Sequence, residues 1–312
     1  MAGVFLTVIA YSSEFVGNKY RPATSIELMV VSSCAQCILP ALASLFNNWK
    51  MLLSACSVLN FVIVITFKWV PESPRWLYKI GRVADAKEIL VKVAKVNGKN
   101  VNTILAMEEG HNEVRGSQRK RKTSLISFSL KLQILSQSYG WFAITLTLFG
   151  MSFASDDLGG SSMYLNFFFT SLIEIPGSLI AIFICKKFGR KIAVIYPLLF
   201  GGATITIVAF LPSSGISKLA LGLFGKFLVS MSFDAMFTWS AELFPTSIRA
   251  FGLGVLQVSS RIGGGVSPWI CKGVATMDTK APFLIMGALT LSSSLLLCWL
   301  PETKTRNLDD FE

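Results

Sequence analysis

The chain has 312 residues, of which 52% are hydrophobic and 15% are charged, and its formal net charge is +11. In soluble domains roughly a quarter of the residues are charged. The lower charged fraction of this chain and its mean hydropathy of +0.57 therefore indicate a protein of the lipid bilayer. The basic residues lie mostly between apolar runs, without the interleaved aromatic residues of a nucleic-acid groove, which argues against a nucleic-acid partner. The positive charge therefore predicts membrane orientation.

The cysteines do not predict a metal site. Cys34 and Cys37 have the spacing of half a zinc site, but no second pair matches them, and the single histidine, His111, lies in a polar stretch. We interpret the six cysteines, which lie in or beside apolar runs, as small buried side chains. Because the sequence also lacks a nucleotide-binding loop, we expect no cofactor, no metal and no enzymatic activity.

Nine apolar segments have about the length needed to cross a bilayer, since a core of ~30 Å requires ~20 mostly apolar residues per helix. The first of them is shorter than the others. In chain order they are 1–16, 23–46, 50–70, 138–157, 163–185, 192–211, 217–241, 251–272 and 281–300. The sequence thus predicts an all-α integral membrane protein.

One long polar stretch, 71–137, divides the chain. Residues 1–70 before it are predicted to form the remainder of an N-terminal helical half, and residues 138–302 a C-terminal half of six helices. A short tail, 303–312, follows. Placing 71–137 in the cytoplasm also places most basic residues of the short loops there, as the positive-inside rule expects, and puts the C-terminus on the cytoplasmic side.

A repeat links the two halves. Glu14 precedes Arg21 by seven residues after an apolar run, and Glu242 precedes Arg249 with the same spacing 228 positions later. A Pro-Glu pair that begins at Pro71 recurs at an offset of 230. Two related halves are typical of a transporter. The offset places three apolar segments of the second half before residue 1, so we expect a truncated form of a parent with about twelve helices, or else a protein that works with an incomplete first half.

Four ionisable side chains lie well inside apolar segments, namely Glu174, Lys226, Asp234 and Arg261. A charge at the centre of a membrane helix costs ~2.5–3.5 kcal/mol unless it faces protein or water. We therefore expect these side chains to line a cavity or to pair. Two alternatives remain open at this point, a structural network between helices and the binding of a charged solute.

Aromatic residues accompany the central lysine. Phe233 and Phe237 follow Lys226 by seven and eleven residues on one helical stripe, and Tyr164 opens a neighbouring segment. Aromatic rings beside a cation are typical of a pocket for an amphiphilic organic ion, although the phenylalanines could instead face lipid. The predicted solute-binding residues are Tyr164, Lys226, Phe233, Phe237 and Arg261. The candidates for binding a coupling ion or a cationic group are Glu174 and Asp234.

A further group of residues is predicted to act in conformational change. Gly189 and Arg190 lie in a tight basic turn between two helices, which is typical of a conformational latch or a topology signal. Together with the repeated phrases, the predicted gating residues are Glu14, Arg21, Gly189, Arg190, Glu242 and Arg249.

Several phrases resemble the major facilitator superfamily and, more narrowly, the organic cation, anion and carnitine transporters of solute carrier family 22. They are PESPRW from Pro71, IEIPG from Ile173, AELFPTSIR from Ala241 and LPET from Leu300. The resemblance runs from the family's fourth helix to its twelfth, nearly the whole chain. It implies a major facilitator fold that lacks its first three helices and has about nine transmembrane helices.

The resemblance also implies a solute class. Related organic cation transporters carry an acidic residue where Arg261 stands, whereas the anion and carnitine types carry Arg there and Lys at the position of Lys226. This implies a plasma-membrane transporter of an organic anion, or of a zwitterion such as carnitine, that works by alternating access. Its expected partners are the solute, the bilayer and a coupling ion, and its oligomeric state is not indicated. The alternatives are an organic cation transporter, a sugar porter and a non-transporting truncated product.

Overall fold

The computed structural model describes residues 8, 11, 15, 21–46, 48–66, 69–98, 128–158, 162–212, 216–244 and 248–303. The regular structure of these residues is entirely helical. The chain divides into two compact units. The first unit comprises Met1–Ser25 and Asn48–Leu125, and the second comprises Ile26–Asn47 and Ile126–Glu312.

The α-helices of the described residues are numbered here in chain order. They are α1 (Arg21–Leu45), α2 (Trp49–Thr66), α3 (Pro74–Lys79), α4 (Val83–Val96), α5 (Phe128–Phe153), α6 (Met163–Leu172), α7 (Glu174–Lys187), α8 (Arg190–Val208), α9 (Ile216–Leu243), α10 (Arg249–Pro268) and α11 (Ala281–Leu297). Single turns of 3₁₀-helix lie at Ser155–Leu158 and Val274–Thr276, and a π-helical turn, Trp269–Gly273, continues α10.

In the first unit, the polar stretch that separates the apolar segments contains the helices α3 and α4. The hydroxyl of Ser73 accepts a hydrogen bond from the backbone N–H of Trp76 at 3.3 Å, and Pro74 occupies the first turn, so both residues favour the start of α3. Helix α4 packs against α3 and buries Ala86 and Ala94. Its small apolar residues therefore form the inner face, and its charged residues face outward.

In the second unit, helices cross closely at small residues. Helix α5 packs against α10 and α11, while α9 packs against α7 and α8. A Cβ atom on Gly201 would lie 3.3 Å from the backbone oxygen of Gly225, and one on Gly177 would lie 2.6 Å from the hydroxyl of Ser230. Small residues permit this approach between membrane helices, which is how α7, α8 and α9 come together.

The apolar segment 163–185 is interrupted, although it was predicted as one run. Helix α6 ends at Leu172 and α7 begins at Glu174. Pro176 lacks the N–H that would bond to the carbonyl of Leu172, so the helix cannot continue through this point unchanged. Glu174 consequently lies in the first turn of α7, where a negative charge is favoured by the helix dipole.

Three helical stretches of the described residues are long and apolar enough to cross a membrane, Met163–Lys187, Arg190–Val208 and Ile216–Leu243. Two shorter apolar helices are Met29–Leu45 and Ala281–Leu297. Each overlaps an apolar segment read from the sequence, in agreement with the all-α prediction. Most of the first predicted segment, part of 71–137 and nearly all of the predicted tail lie outside the described residues.

Candidate functional site

An ion pair between a fully buried lysine and a partly buried glutamate joins α7 to α9. The ammonium nitrogen of Lys226 lies 2.9 Å from Oε1 of Glu174, and the two side chains are 0% and 14% exposed, respectively. The charge of Lys226 is therefore compensated by Glu174 rather than by water. The two residues are 52 positions apart, and it is the packing of α7 against α9 that brings them together.

Two hydroxyl groups complete the hydrogen bonds of this pair. Lys226 Nζ donates to Ser152 Oγ of α5 at 2.9 Å, and Ser33 Oγ, in the part of α1 that belongs to the second unit, contacts Glu174 Oε2 at 3.4 Å. Satisfied hydrogen bonds are what allow an ion pair to be buried without a large net cost. Of the two alternatives left open by the sequence, a network between helices is present at Lys226 and Glu174.

An aromatic cluster lies on the face of α9 that meets α5. The Trp141 ring centroid is 5.5 Å from that of Phe233 and 4.5 Å from that of Phe237, with edge-to-face geometry in both pairs. Phe233 and Phe237 are themselves 5.1 Å apart. The predicted stripe thus faces a protein helix, and the rings contact one another as aromatic rings prefer.

A hydrogen-bonded chain extends this cluster. The indole N–H of Trp141 donates to Ser240 Oγ at 3.0 Å, and the Ser240 hydroxyl donates to Oε1 of Gln137 at 2.8 Å. Gln137 and Trp141 are buried. Neither was singled out from the sequence. Their spacing of four residues on one face of α5 is the pattern that could have indicated them.

Arg261 and Tyr164 lie in a different environment from Lys226. Tyr164 is 43% exposed near the start of α6, and Arg261 is exposed on α10. Within the described part of the chain, no ion pair or hydrogen bond reaches the guanidinium of Arg261. The predicted solute-binding residues therefore divide into a buried set around Lys226 and an exposed pair.

Asp234, the remaining ionisable residue, is buried on α9 with an exposure of 4%. The side chain of Ser178 on α7 lies beside its carboxyl group. Its second oxygen, Oδ2, has no hydrogen-bond partner among the described residues. Glu174, not Asp234, is the carboxylate that pairs with Lys226.

A second polar cluster, named the Arg190 cluster, consists of Arg190, Glu242, Glu302 and Thr303. The guanidinium of Arg190 binds Oε1 of Glu242 through Nη2 at 2.8 Å and Nε at 3.2 Å. Oε1 of Glu302 accepts the Arg190 backbone N–H at 3.0 Å, and its Oε2 accepts that of Lys191 at 3.0 Å. The Glu302 carboxylate therefore caps the first turn of α8.

Gly189 makes this arrangement possible. Its φ is +110°, and a Cβ atom there would lie 2.5 Å from Oε2 of Glu302. Thr303 joins the two carboxylates, because its Oγ1 donates to Oε2 of Glu242 at 2.7 Å and its backbone N–H donates to Oε1 of Glu302 at 2.9 Å. Three predicted gating residues, Gly189, Arg190 and Glu242, thus lie together.

The other predicted gating residues are not tested by this geometry. Glu14 lies outside the described residues, and so do the side chains of Arg21 and Arg249. Their role stays a prediction. Among the described residues, no group of three His, Cys, Asp or Glu side chains is placed to hold a metal ion.

The model of the family named sugar (and other) transporter matches residues 25–312 of this sequence. The chain belongs to this family. Its curated relatives belong to the solute carrier 22 group, which confirms the resemblance read from the sequence. The match is to a family of transporters and not of enzymes.

Three of these relatives illustrate the similarity. Human solute carrier family 22 member 13 is 29% identical, over 99% of this chain and 56% of the relative. Human organic cation/carnitine transporter 2 is 26% identical, over 98% of this chain and 56% of the relative. Rabbit (Oryctolagus cuniculus) organic anion transporter 3 is 30% identical, over 99% and 58%. The chain thus spans a little over half the length of the curated relatives it matches.

Solved structures show the fold. The proton:xylose symporter XylE bound to 6-bromo-6-deoxy-D-glucose matches with a TM-score of 0.71 at 18% identity, over 96% of this chain and 68% of that structure. XylE from E. coli in an inward-open conformation matches with a TM-score of 0.67 at 17% identity, over 96% and 67%. The predicted major facilitator fold is therefore confirmed.

Proposed function

We propose that the chain carries amphiphilic organic ions across a membrane by alternating access, and that its solute bears a carboxylate, as an organic anion or a zwitterion such as carnitine does. Membership of the transporter family and relatives of the solute carrier 22 type support the coarser part of this proposal. The carboxylate preference is the finer part, and it rests on the positive charges of the second unit.

The observation that carries this preference is the environment of Arg261. Its guanidinium is exposed on α10, and within the described ranges it forms no ion pair. A guanidinium in this state presents donors in the fork geometry that matches a carboxylate. Arg261 is therefore the proposed first contact for the acidic group of the solute, with the exposed Tyr164 available for its organic body.

We propose a different role for Lys226, because its ammonium group is already paired with the carboxylate of Glu174. A solute carboxylate reaches Lys226 only if Glu174 moves away, so binding at Lys226 requires a rearrangement of α7 against α9. Phe233 and Phe237 lie on the α5 face of the same helix and would contact the apolar part of the solute at that stage. In this proposal Glu174 exchanges places with the solute carboxylate and is free to bind a cationic group.

The Arg190 cluster is the proposed latch of the conformational cycle. It ties the first turn of α8 to the end of α9 and to the residues that follow α11. Opening this end of the second unit would require the Arg190–Glu242 ion pair to separate.

We further propose a multi-pass location in the plasma membrane with a cytoplasmic C-terminus, which the distribution of basic residues supports.

An organic cation transporter is a second candidate. A relative from Drosophila melanogaster named organic cation transporter protein is 28% identical over 99% of this chain. The carboxylate of Glu174, which retains 14% exposure, would serve a cationic solute in that case. The lack of a second carboxylate in place of Arg261 favours the anionic or zwitterionic solute.

Uptake of four labelled solutes tests the proposal. Cells expressing the chain would be given carnitine, an aromatic organic anion, a quaternary organic cation and glucose, with the protein at the cell surface quantified in each case. We expect saturable uptake of carnitine or the organic anion above that of untransfected cells. Uptake of the cation alone or of glucose alone would replace the proposal with an organic cation transporter or a sugar porter. Surface protein without any uptake would indicate a non-transporting product.

A further inference from the structure

Asp234 lies between the two ion pairs of α9. It is eight residues from Lys226 and eight from Glu242, which corresponds to about 12 Å along the helix in each direction. Both neighbouring charges on its helix are already engaged, Lys226 with Glu174 and Glu242 with Arg190. The two cations, Lys226 and Arg190, are thus paired with carboxylates other than Asp234.

The Asp234 carboxyl group lies beside a serine whose hydroxyl proton is already engaged. Ser178 lies on α7 one turn after Glu174, and its hydroxyl is next to Asp234 and donates a hydrogen bond to the Glu174 carbonyl oxygen at 3.1 Å. The oxygen Oδ2 has no partner in the described part of the protein. A buried carboxyl oxygen without a donor is an exception among native polar groups and requires an explanation.

The charged groups around Asp234 offer no compensation. From α7, the ionisable side chains that act on it are Glu174 and Cys185, and neither can supply a positive charge. From α8, Arg190 is bound to Glu242, and from α10 the exposed Arg261 has no described interaction with Asp234. On α5 the polar residue Ser152 accepts a hydrogen bond from Lys226. An ionised Asp234 would therefore be a buried and uncompensated negative charge.

Protonation of the Asp234 carboxyl group would remove this uncompensated negative charge. Burying an isolated carboxylate is far more costly than burying a neutral hydroxyl, so the group becomes neutral where it can. Protonated carboxyls can also donate a hydrogen bond, which an ionised carboxylate cannot. The interface of α7 and α9 thus holds a carboxyl group whose surroundings suit the protonated form.

We propose that Asp234, buried beside Ser178, is a proton-binding site at the interface of α7 and α9, and that it carries its proton in the conformation described here. The site itself does not depend on the proposed function. Its consequence for transport does rest on that function: when α7 moves from α9 to release Glu174, Asp234 meets water and gives up its proton. The coupling ion would then be a proton, bound at a position separate from the solute contact at Arg261.

Infrared spectroscopy of the purified full chain tests the site directly. A protonated carboxyl absorbs apart from a carboxylate, and the spectrum would be recorded at neutral pH for the wild type and for D234N. The matched control is D278N, which changes an exposed aspartate whose Oδ1 accepts the Lys280 backbone N–H at 2.9 Å. We expect a protonated-carboxyl band in the wild type that is lost in D234N and retained in D278N.

Two further measurements decide between the outcomes. Should D234N fold poorly, S178A is expected to shift the frequency of the same band, because it removes the hydroxyl beside the group. Identical spectra for the wild type, D234N and S178A would overturn the proposal. A spectrum that lacks the band but changes on addition of sodium would also overturn it and would assign a metal cation to Asp234.

Transport adds a separate arm. If the wild type takes up solute, an imposed proton gradient is expected to stimulate its uptake, and D234N is expected to lose that stimulation. Absence of uptake by the wild type would contradict the proposed function but leave the infrared result to decide the proton site. A gradient response that survives in D234N would overturn the coupling role.

Discussion

Helix α9 carries ion pairs in two different environments. Lys226 and Glu174 are 0% and 14% exposed, whereas Arg190 and Glu242 of the Arg190 cluster are 20% and 23% exposed. The first pair is completed by two serine hydroxyls, and the second is attached to a carboxylate that caps α8. The Lys226–Glu174 pair is therefore the more deeply buried of the two, and the Arg190–Glu242 pair is partly exposed on both sides.

The two ion pairs therefore differ in how easily their charges can separate. In the Lys226–Glu174 pair, removal of Glu174 leaves the fully buried ammonium group of Lys226 without its counter-charge. In the Arg190 cluster, water reaches both partners, and the backbone N–H groups of α8 hold Glu302 independently. We expect the cluster to open and close readily, and the central pair to open only when another charge takes the place of Glu174.

Breaking the central pair should have the largest effect on stability. E174A leaves Lys226 buried with Ser152 as a neutral partner, and the expected loss is about 3–5 kcal/mol of unfolding free energy. Thermal unfolding of the purified protein in detergent, followed by the amount of monodisperse protein, would measure it.

The matched control for E174A is the double variant E174A/K226M, which removes both charges and keeps an apolar chain of similar length. It should be more stable than E174A alone, since replacement of a whole buried pair by apolar groups is often neutral. Equal stability of the single and double variants would show that Lys226 is not buried against Glu174.

Removing the α8 cap should have an intermediate effect. E302A deprives the Arg190 and Lys191 backbone N–H groups of their acceptor, and loss of a helix cap costs about 1 kcal/mol. The Arg190–Glu242 pair should persist, so the same thermal assay should show a smaller drop than for E174A. E302Q is the control, because its amide oxygen retains one acceptor. A drop as large as that of E174A would contradict the partly hydrated character of the cluster.

Breaking an exposed ion pair in the first unit should have the smallest effect on stability. Lys92 Nζ lies 2.7 Å from Glu88 Oε1 on α4, and the side chains are 70% and 65% exposed. K92A should cost no more than about 0.3–0.5 kcal/mol, as exposed pairs one helical turn apart do. We expect its thermal curve to overlay that of the wild type, and a shift comparable to that of E302A would show that α4 depends on this contact.

Much of the second unit was accessible from hydropathy, because uninterrupted apolar runs such as 192–211 and 217–241 correspond to single helices, α8 and α9. The interruption between α6 and α7 was not predicted, since a run of apolar residues hides the missing N–H of Pro176. Helices α3 and α4 are not indicated by hydropathy either, because they are short helices in a polar stretch and are not apolar enough to cross a membrane.

The candidate site was predicted as a list of charged and aromatic residues but not as an arrangement. The sequence indicated that Lys226 needs a partner or a cavity, yet it could not choose between Glu174 and Asp234. That choice depends on the rotation of α7 and α9 about their axes, which is set by contacts such as Gly177 with Ser230. The role of Trp141 likewise depends on packing between α5 and α9.

Charge reversal at Arg261 tests whether this guanidinium contacts the carboxylate of the solute. Uptake of carnitine and of an aromatic organic anion would be compared for the wild type, R261E and K272E, at matched surface amounts. K272E reverses another exposed basic residue, in the π-helical turn that continues α10. We expect R261E to abolish uptake of the carboxylate solute and K272E to leave it near the wild-type level. Unchanged uptake by R261E would contradict the assignment of Arg261 as the carboxylate contact.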